Sequence, residues 1–382
     1  MATSTNDSAE KIGASNRDAR LNALYDRLSN HDLAPYWAVQ SDTDHDEDGQ
    51  VLKGKQAIPY IWQYKDIKPI LYEAAELISM EDSERRSVVL VNPELAPVRA
   101  TVSSLYTAYR LNDPKEVMPA HRHSINAVRI GLTGDQNFTG VEGEDITFGP
   151  GDLVLTPADA WHNHGNHGDD FAVNASILDL PLSEFLNAAE FEHDYTEDNS
   201  VRAEQSARYD ADYSNRTYGI GGLRPRFLDH TRGTGLHSPM YVYRWDQTRS
   251  LLEQFRDHDG SPWDAISLEY RDPITGKTPF RTMTFFGQLL RPGEKTLPQK
   301  QNASQVCIGF EGAGTTIVDG QNFDWQPFDA IAVPGGTWFH HENKSDKDDA
   351  ILFVASDEPT LKALGFHRRQ GRKEDGTIVK LD

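Results

Sequence analysis

Gly151-Asp152-Leu153-Val154-Leu155-Thr156-Pro157-Ala158-Asp159-Ala160-Trp161-His162 returns 177 residues later as Phe328-Asp329-Ala330-Ile331-Ala332-Val333-Pro334-Gly335-Gly336-Thr337-Trp338-Phe339. In both, a short β-type apolar run ends at proline, crosses a turn and reaches a tryptophan. The offset of 177 also links Val141-Glu142-Gly143 to Val318-Asp319-Gly320. Further upstream, Leu111 to Glu116 is answered by Leu290-Arg291-Pro292-Gly293-Glu294, with Glu116 and Glu294 separated by 178 residues. Matches in this order indicate a duplicated β domain. Short strands cut by Gly and Pro turns over residues 99–180 and 281–356 predict a mainly β chain with a jelly-roll-type barrel in each copy.

Four segments follow from this frame: an N-terminal helical or extended segment (1–98), a first barrel (99–182), a linker and interface segment (183–280) and a second barrel (281–382). Residues 1–16 are small and polar and are expected to fray. Leu21, Leu24, Tyr25 and Leu28 repeat with helical spacing. Further helices are predicted over 66–78, 183–190 and 248–255, and acidic loops over 41–48 and 190–215.

Composition narrows the function. The 382 residues carry a formal net charge of −21, which disfavours phosphate backbones and anionic membrane surfaces. No nucleic-acid or membrane partner is expected. No apolar run approaches the ~18 residues of a membrane span, and Met1 to Arg20 contain no apolar signal-peptide core. A cytoplasmic location is therefore expected. The single cysteine, Cys307, excludes an intramolecular disulfide and a cysteine-based metal cluster, and is expected to pack in the second barrel. Any metal must be held by histidine or carboxylate.

Histidines supply such a set. Pro119-Ala120-His121-Arg122-His123 places two imidazoles on one strand face, because a strand alternates sides. His162 arrives from a later strand in Trp161-His162-Asn163-His164-Gly165-Asn166. Three imidazoles converging inside a barrel make a metal site with open positions. His164 is an even step from His162, and on spacing alone stays open as a fourth ligand. The second copy has Gln299, Gln301 and Phe339 at the three corresponding positions, so it is expected to be metal-free and structural. His340 and His341 are read as structural there.

On these residues the chain resembles the cupin superfamily. Gly151, Pro157, His162 and Asn166 match the second cupin motif, with Asp159 in place of its second glycine. The His pair and Gly134 match the first motif, whose glutamate is missing near Ala127 and Val128. The resemblance therefore implies three neutral histidine ligands and no carboxylate.

A closer resemblance is to the bicupin ring-cleaving dioxygenases: gentisate 1,2-dioxygenase, salicylate 1,2-dioxygenase and 1-hydroxy-2-naphthoate dioxygenase. It runs from Leu33-Ala34-Pro35-Tyr36-Trp37 through the histidine motifs and Ser238-Pro239-Met240-Tyr241 to Trp338 and Asn343. It implies Fe(II) held by His121, His123 and His162. The implied reaction uses O2 to cleave an aromatic ring between its carboxyl-bearing and hydroxyl-bearing carbons. Arg129 would hold the substrate carboxylate, and Arg85 would contribute to the pocket, with Arg86 an equally close match. His164 would donate a proton or orient O2. A homotetramer is also implied.

The chain departs from the family around the substrate. Tyr106-Thr107-Ala108-Tyr109-Arg110 has Ala108 where glycine is common and Arg110 where a glutamine is common. Ser176 stands where many gentisate enzymes carry aspartate. Tyr106, Ala108, Arg110 and Ser176 are therefore read as substrate-pocket residues. Gentisate leads as substrate, followed by substituted salicylates and 1-hydroxy-2-naphthoate. Two other classes share the histidine set: a non-oxidative metallo-cupin, such as an isomerase or lyase, and a storage or binding bicupin. Dependence of turnover on O2 separates the first, and an intact phenotype of a His121→Ala variant separates the second.

Overall fold

The computed structural model describes residues 5–31, 33, 44–45, 51–52, 55–78, 86–193, 209, 212–219, 221, 223, 225–226 and 235–381. The chain forms two compact units, Met1–Lys55 and Gln56–Asp382. In the first, helix Thr5–Asn30 covers most of the segment expected to fray. No proline interrupts it, so nothing in the local sequence stops a helix before Asn30. The acidic stretch expected as a loop contains a short strand, Asp44–His45, paired antiparallel to Val51–Leu52.

The larger unit holds both barrels. In the first, a six-stranded sheet runs Val242–Tyr243, Leu153–Thr156, Ala127–Thr133, Ala172–Leu178, Tyr106–Asn112, Ser87–Val89. It accompanies a five-stranded sheet in the order Phe191–His193, His121–His123, His162–Asn166, Asn137–Val141, Glu144–Phe148. The second barrel repeats the plan. Thr284–Leu290, Ala350–Ser356, Gln305–Glu311 and Ala330–Val333 form one sheet with Ile266–Glu269 and Tyr60–Trp62 at its edges. Gly314–Val318, Trp338–Glu342 and Gln299–Gln301 lie in the other.

Residue alternation explains how the barrels join. Tyr109, Leu111, Val128, Ile130, Val173 and Ala175 of the first barrel share one apolar core with Phe285, Val306, Ile308 and Phe353 of the second. These are the outward-facing residues of each large sheet, so the barrels pack back to back. Edge strands cross over too. Tyr60–Trp62 precedes the first barrel in sequence but pairs with Ala330–Val333 of the second. Val242–Tyr243 precedes the second barrel but pairs with Leu153–Thr156 of the first.

Helices Tyr64–Leu77, Leu180–Phe185 and Trp245–Phe255 lie near the three predicted positions. The middle one stops short of Glu190, because Asn187 takes a left-handed conformation with φ 54°. The turn that carries the second cupin motif also needs a positive φ: Asp159 sits at 62° and its counterpart Gly336 at 91°. Asp tolerates this region better than most residues, so the turn survives without glycine.

The inward faces of the two barrels differ. Strand register makes Leu290, Cys307, Val333, Phe339, Leu352 and Val354 the counterparts of Asn112, Arg129, Thr156, His162, Asn174 and Ser176. In the second barrel these residues form a continuous apolar core with Trp325 and Ile331. Cys307 is fully buried there, and burial pushes its thiol pKa up to about 12. Beside that apolar core, Gln288, Gln301 and Val354 line a cavity of about 690 Å³ with Asp264 and Arg369.

Candidate metal centre

His121 and His123 flank Arg122 on one strand, and both are only 2 % exposed. His162 opens the next strand of the sheet, in register with His121. The three rings converge, with centroid separations of 4.2 Å (121 to 162), 4.7 Å (123 to 162) and 5.8 Å (121 to 123). One nitrogen from each falls within 4.8 Å of the others, a spacing that one metal ion can span.

The second nitrogen of each ring is tethered. Nδ1 of His121 lies 3.2 Å from the Pro119 carbonyl, that of His123 2.7 Å from Ile125, and that of His162 2.8 Å from Ala160. A carbonyl only accepts, so each Nδ1 carries the proton and donates it. Nε2 then holds the lone pair, which is the tautomer a metal-binding histidine needs. The Nε2 of His162 is buried without a hydrogen-bond partner. Burial, with His121, His123 and Arg129 nearby, holds the His162 pKa well below the usual histidine range. Three imidazoles tethered through Nδ1, with the lone pair of His162 buried and unpartnered, fit a divalent transition metal.

Beside this set, Arg129 projects from Ala127–Thr133 and is 7 % exposed. Its Nη1 donates to Thr156 Oγ1 at 2.7 Å, and its Nη2 to His164 Nε2 at 2.6 Å. His164 Nδ1 lies 3.2 Å from Thr139 Oγ1. A guanidinium only donates, so His164 accepts at Nε2 and carries its proton on Nδ1. Burial and then Arg129 hold its pKa well below the ordinary value. Both ring nitrogens of His164 are thus engaged, and the triad within reach of one ion comprises His121, His123 and His162.

The other predicted pocket residues sort by register. Ala108, Ser176 and Arg129 lie side by side across three strands. Tyr106 aligns with Leu178 and Ala127 one step along. Arg110 occupies the same sheet face as Ala108 but is held in an ion pair. Its Nη2 donates to Glu116 Oε1 at 2.8 Å and its Nη1 contacts Met118 Sδ at 3.1 Å. Arg86 grips the other Glu116 oxygen and bridges Asp113 at 2.6 Å. Arg85 lies outside the described residues, and Arg86 is the arginine that this network uses.

Four neighbours escaped the sequence reading. Thr156 and Thr139 hold Arg129 and His164. Phe191 packs on His123 at 5.6 Å and His193 stacks on His121 at 6.3 Å, from a strand in register with both. The repeat contained a signal for Thr139. In the second barrel His341 Nδ1 and Thr316 Oγ1 lie 2.9 Å apart at the corresponding positions.

His341 makes a stability prediction. It is fully buried, and burial lowers its pKa from 6.5 to about 4. The folded state therefore holds it neutral while the unfolded chain takes up a proton below about 6.5. Its contribution is present above that pH and is lost as the pH falls toward 4, to a total of about 3 kcal/mol. Chemical denaturation from pH 7 to 4 should show a shallower loss of stability in His341→Gln than in the parent. Equal slopes would contradict the burial argument.

A duplicated barrel in which one copy gathers three histidines and the other carries Gln299, Gln301 and Phe339 at those positions defines a bicupin with one candidate metal centre among the described residues. Residues 112–178 and 288–356 match the cupin domain family. The chain is 32 % identical to 5-aminosalicylate 1,2-dioxygenase of Comamonas sp., over 93 % of this chain and 91 % of that protein. It is 32 % identical to gentisate 1,2-dioxygenase 1 of Aquipseudomonas alcaligenes, over 90 % and 94 % of the two chains. The fold superimposes on salicylate 1,2-dioxygenase from Pseudoaminobacter salicylatoxidans in its gentisate adduct with a TM-score of 0.80. That match has 26 % identity and covers 93 % of this chain and 94 % of the other. The chain belongs to the bicupin ring-cleaving 1,2-dioxygenase family.

Proposed function

We propose that this chain is an Fe(II)-dependent dioxygenase that opens the ring of a 2-hydroxy aromatic acid between the carboxyl-bearing and hydroxyl-bearing carbons. Gentisate leads as substrate, followed by substituted salicylates and 1-hydroxy-2-naphthoate. The observation that carries the reading is the convergence of three imidazoles, each tethered through Nδ1 to a backbone carbonyl, next to a buried arginine inside one barrel.

His121, His123 and His162 would hold the iron, which supplies Lewis acidity toward the hydroxy acid and activation of O2. The protein's own residues do the rest. Arg129 presents a guanidinium, the group best shaped to meet a carboxylate with two parallel hydrogen bonds. Thr156 and His164 fix that guanidinium from either side, so it is oriented before substrate arrives. A neutral His164 accepts from Arg129 and keeps the positive charge on the arginine. Ala108 and Ser176 form the neutral wall beside it. Arg110 has its charge compensated by Glu116, so the far side of that wall favours a substrate with a neutral ring substituent. Gentisate and 5-aminosalicylate both meet that condition.

The test is a substrate panel with anaerobically iron-loaded protein. One equivalent of O2 should disappear per equivalent of acid, with formation of a ring-opened keto acid. Turnover that continues at the same rate without O2, or none with any acid of the panel, contradicts the proposal.

A further inference from the structure

Asn126 sits between the two loops that orient His123 and His162. Its neighbour Ile125 provides the carbonyl that accepts from His123 Nδ1 at 2.7 Å. Its own Oδ1 accepts from the Ala158 amide at 3.0 Å, two residues before Ala160, whose carbonyl accepts from His162 Nδ1. Asn126 is in turn fixed by Asp179, a buried carboxylate at the end of the last barrel strand. Asp179 Oδ1 accepts from the Asn126 amide at 2.8 Å, and its Oδ2 from Asn126 Nδ2 at 3.0 Å. The remaining donor comes from outside the first barrel. Thr282, which leads into the second barrel, donates its hydroxyl to Asp179 Oδ2 at 2.5 Å and lies 3.2 Å from Asn126 Nδ2.

The duplication supplies an internal comparison. The counterparts of Thr282, Asp179, Asn126 and Ala158 are Ser104, Asp357, Ser304 and Gly335. Ser104 donates its hydroxyl to Asp357, the Ser304 amide donates to Asp357 at 2.7 Å, and the Gly335 amide donates to Ser304 Oγ at 3.1 Å. Each barrel therefore carries the same clasp, closed by a hydroxyl from the segment leading into the other barrel. The two clasps differ in what they hold. The first ends at ligand histidines, whereas the second ends at Gln301 and Phe339.

From this we infer that Thr282 is a positioning residue for the metal centre: the second barrel, which has lost its own ligands, orients His123 and His162 of the first through Asp179 and Asn126. The inference rests on the metal-centre reading above. A hydrogen-bonded partner one step behind a metal ligand typically changes affinity 10–100-fold when removed (about 1.4–2.7 kcal/mol). Thr282 acts further back, through Asp179, Asn126 and the Ile125 carbonyl, so a loss at the lower end of that range, about tenfold, is expected.

The test uses the full-length protein with Co(II) as the probe, measured by equilibrium titration and by the visible spectrum of the bound ion. Thr282→Val should weaken Co(II) binding about tenfold and alter the ligand-field bands, and Thr282→Ser should restore both. Ser104→Ala opens the matching clasp of the second barrel and should leave Co(II) affinity within about twofold of the parent. Thermal denaturation is followed in parallel, because Thr282→Val removes two part-buried hydrogen bonds and Ser104→Ala one, so the valine variant should lose the more stability. Parent-like Co(II) affinity and spectrum in Thr282→Val overturn the inference, and so does an equal affinity loss in Ser104→Ala. Failure of the parent protein to bind Co(II) would instead overturn the metal-centre reading itself.

Discussion

His123→Ala should abolish metal retention and ring cleavage together, with kcat/KM reduced by at least about a thousandfold. His123 is one of the three converging rings: it shares a strand with His121 and faces His162 across 4.7 Å. Removing it leaves two imidazoles, a set that holds a divalent ion weakly and without fixed geometry. The same change strands the Ile125 carbonyl, which loses its Nδ1 donor in the interior. That costs about 1–3 kcal/mol of stability, small enough to leave a folded barrel. Metal content after dialysis, O2 uptake and circular dichroism read the three quantities separately. Full metal content in the variant would show that His123 is no ligand.

Arg129→Met should act differently. It should lower kcat/KM by about a hundredfold to ten-thousandfold and leave metal content unchanged. The size follows from losing two charge-assisted hydrogen bonds to a carboxylate, each worth about 1.5–3 kcal/mol. Methionine keeps much of the length but removes every donor, so Thr156 Oγ1 and His164 Nε2 lose their partner as well. Lysine at the same position should recover only part of the activity, because a point charge cannot serve substrate, Thr156 and His164 in one plane. An unchanged KM and kcat in Arg129→Met would remove the carboxylate-binding role.

The fold was legible because the duplication preserved turn chemistry. Proline, a positive-φ residue and tryptophan recur at one spacing, and the structure places them at corresponding strand ends in both barrels. The loss of ligands in the second copy was equally visible, since Gln299, Gln301 and Phe339 stand where the histidines stand in the first. What the sequence concealed depends on long-range register. Arg110 reads as a spare positive charge until Glu116 and Arg86 are seen around it. Phe191 and His193 look like part of an acidic linker until their strand pairs with His121–His123. Thr282 lies 156 residues from Asn126, and no local periodicity announces a contact at that distance. The helix was legible from Leu21 to Leu28, but its start at Thr5 was not, because its first residues are polar and carry no apolar spacing.

The large negative net charge of −21 first served to exclude partners, and it fits an anionic substrate only if the site makes its own field. The arrangement supplies that field locally. Arg129 places a positive charge in the same interior as the three histidines, and a divalent ion held by them would add to it.

The most direct test of the account follows the oxygen atoms. Iron-loaded protein is incubated with gentisate under isotopically heavy O2, and the ring-opened product is weighed by mass spectrometry. Both atoms of one O2 molecule should appear in the product, apart from any that later exchange with water. A ring-opened product that takes its oxygen only from water would contradict the proposal.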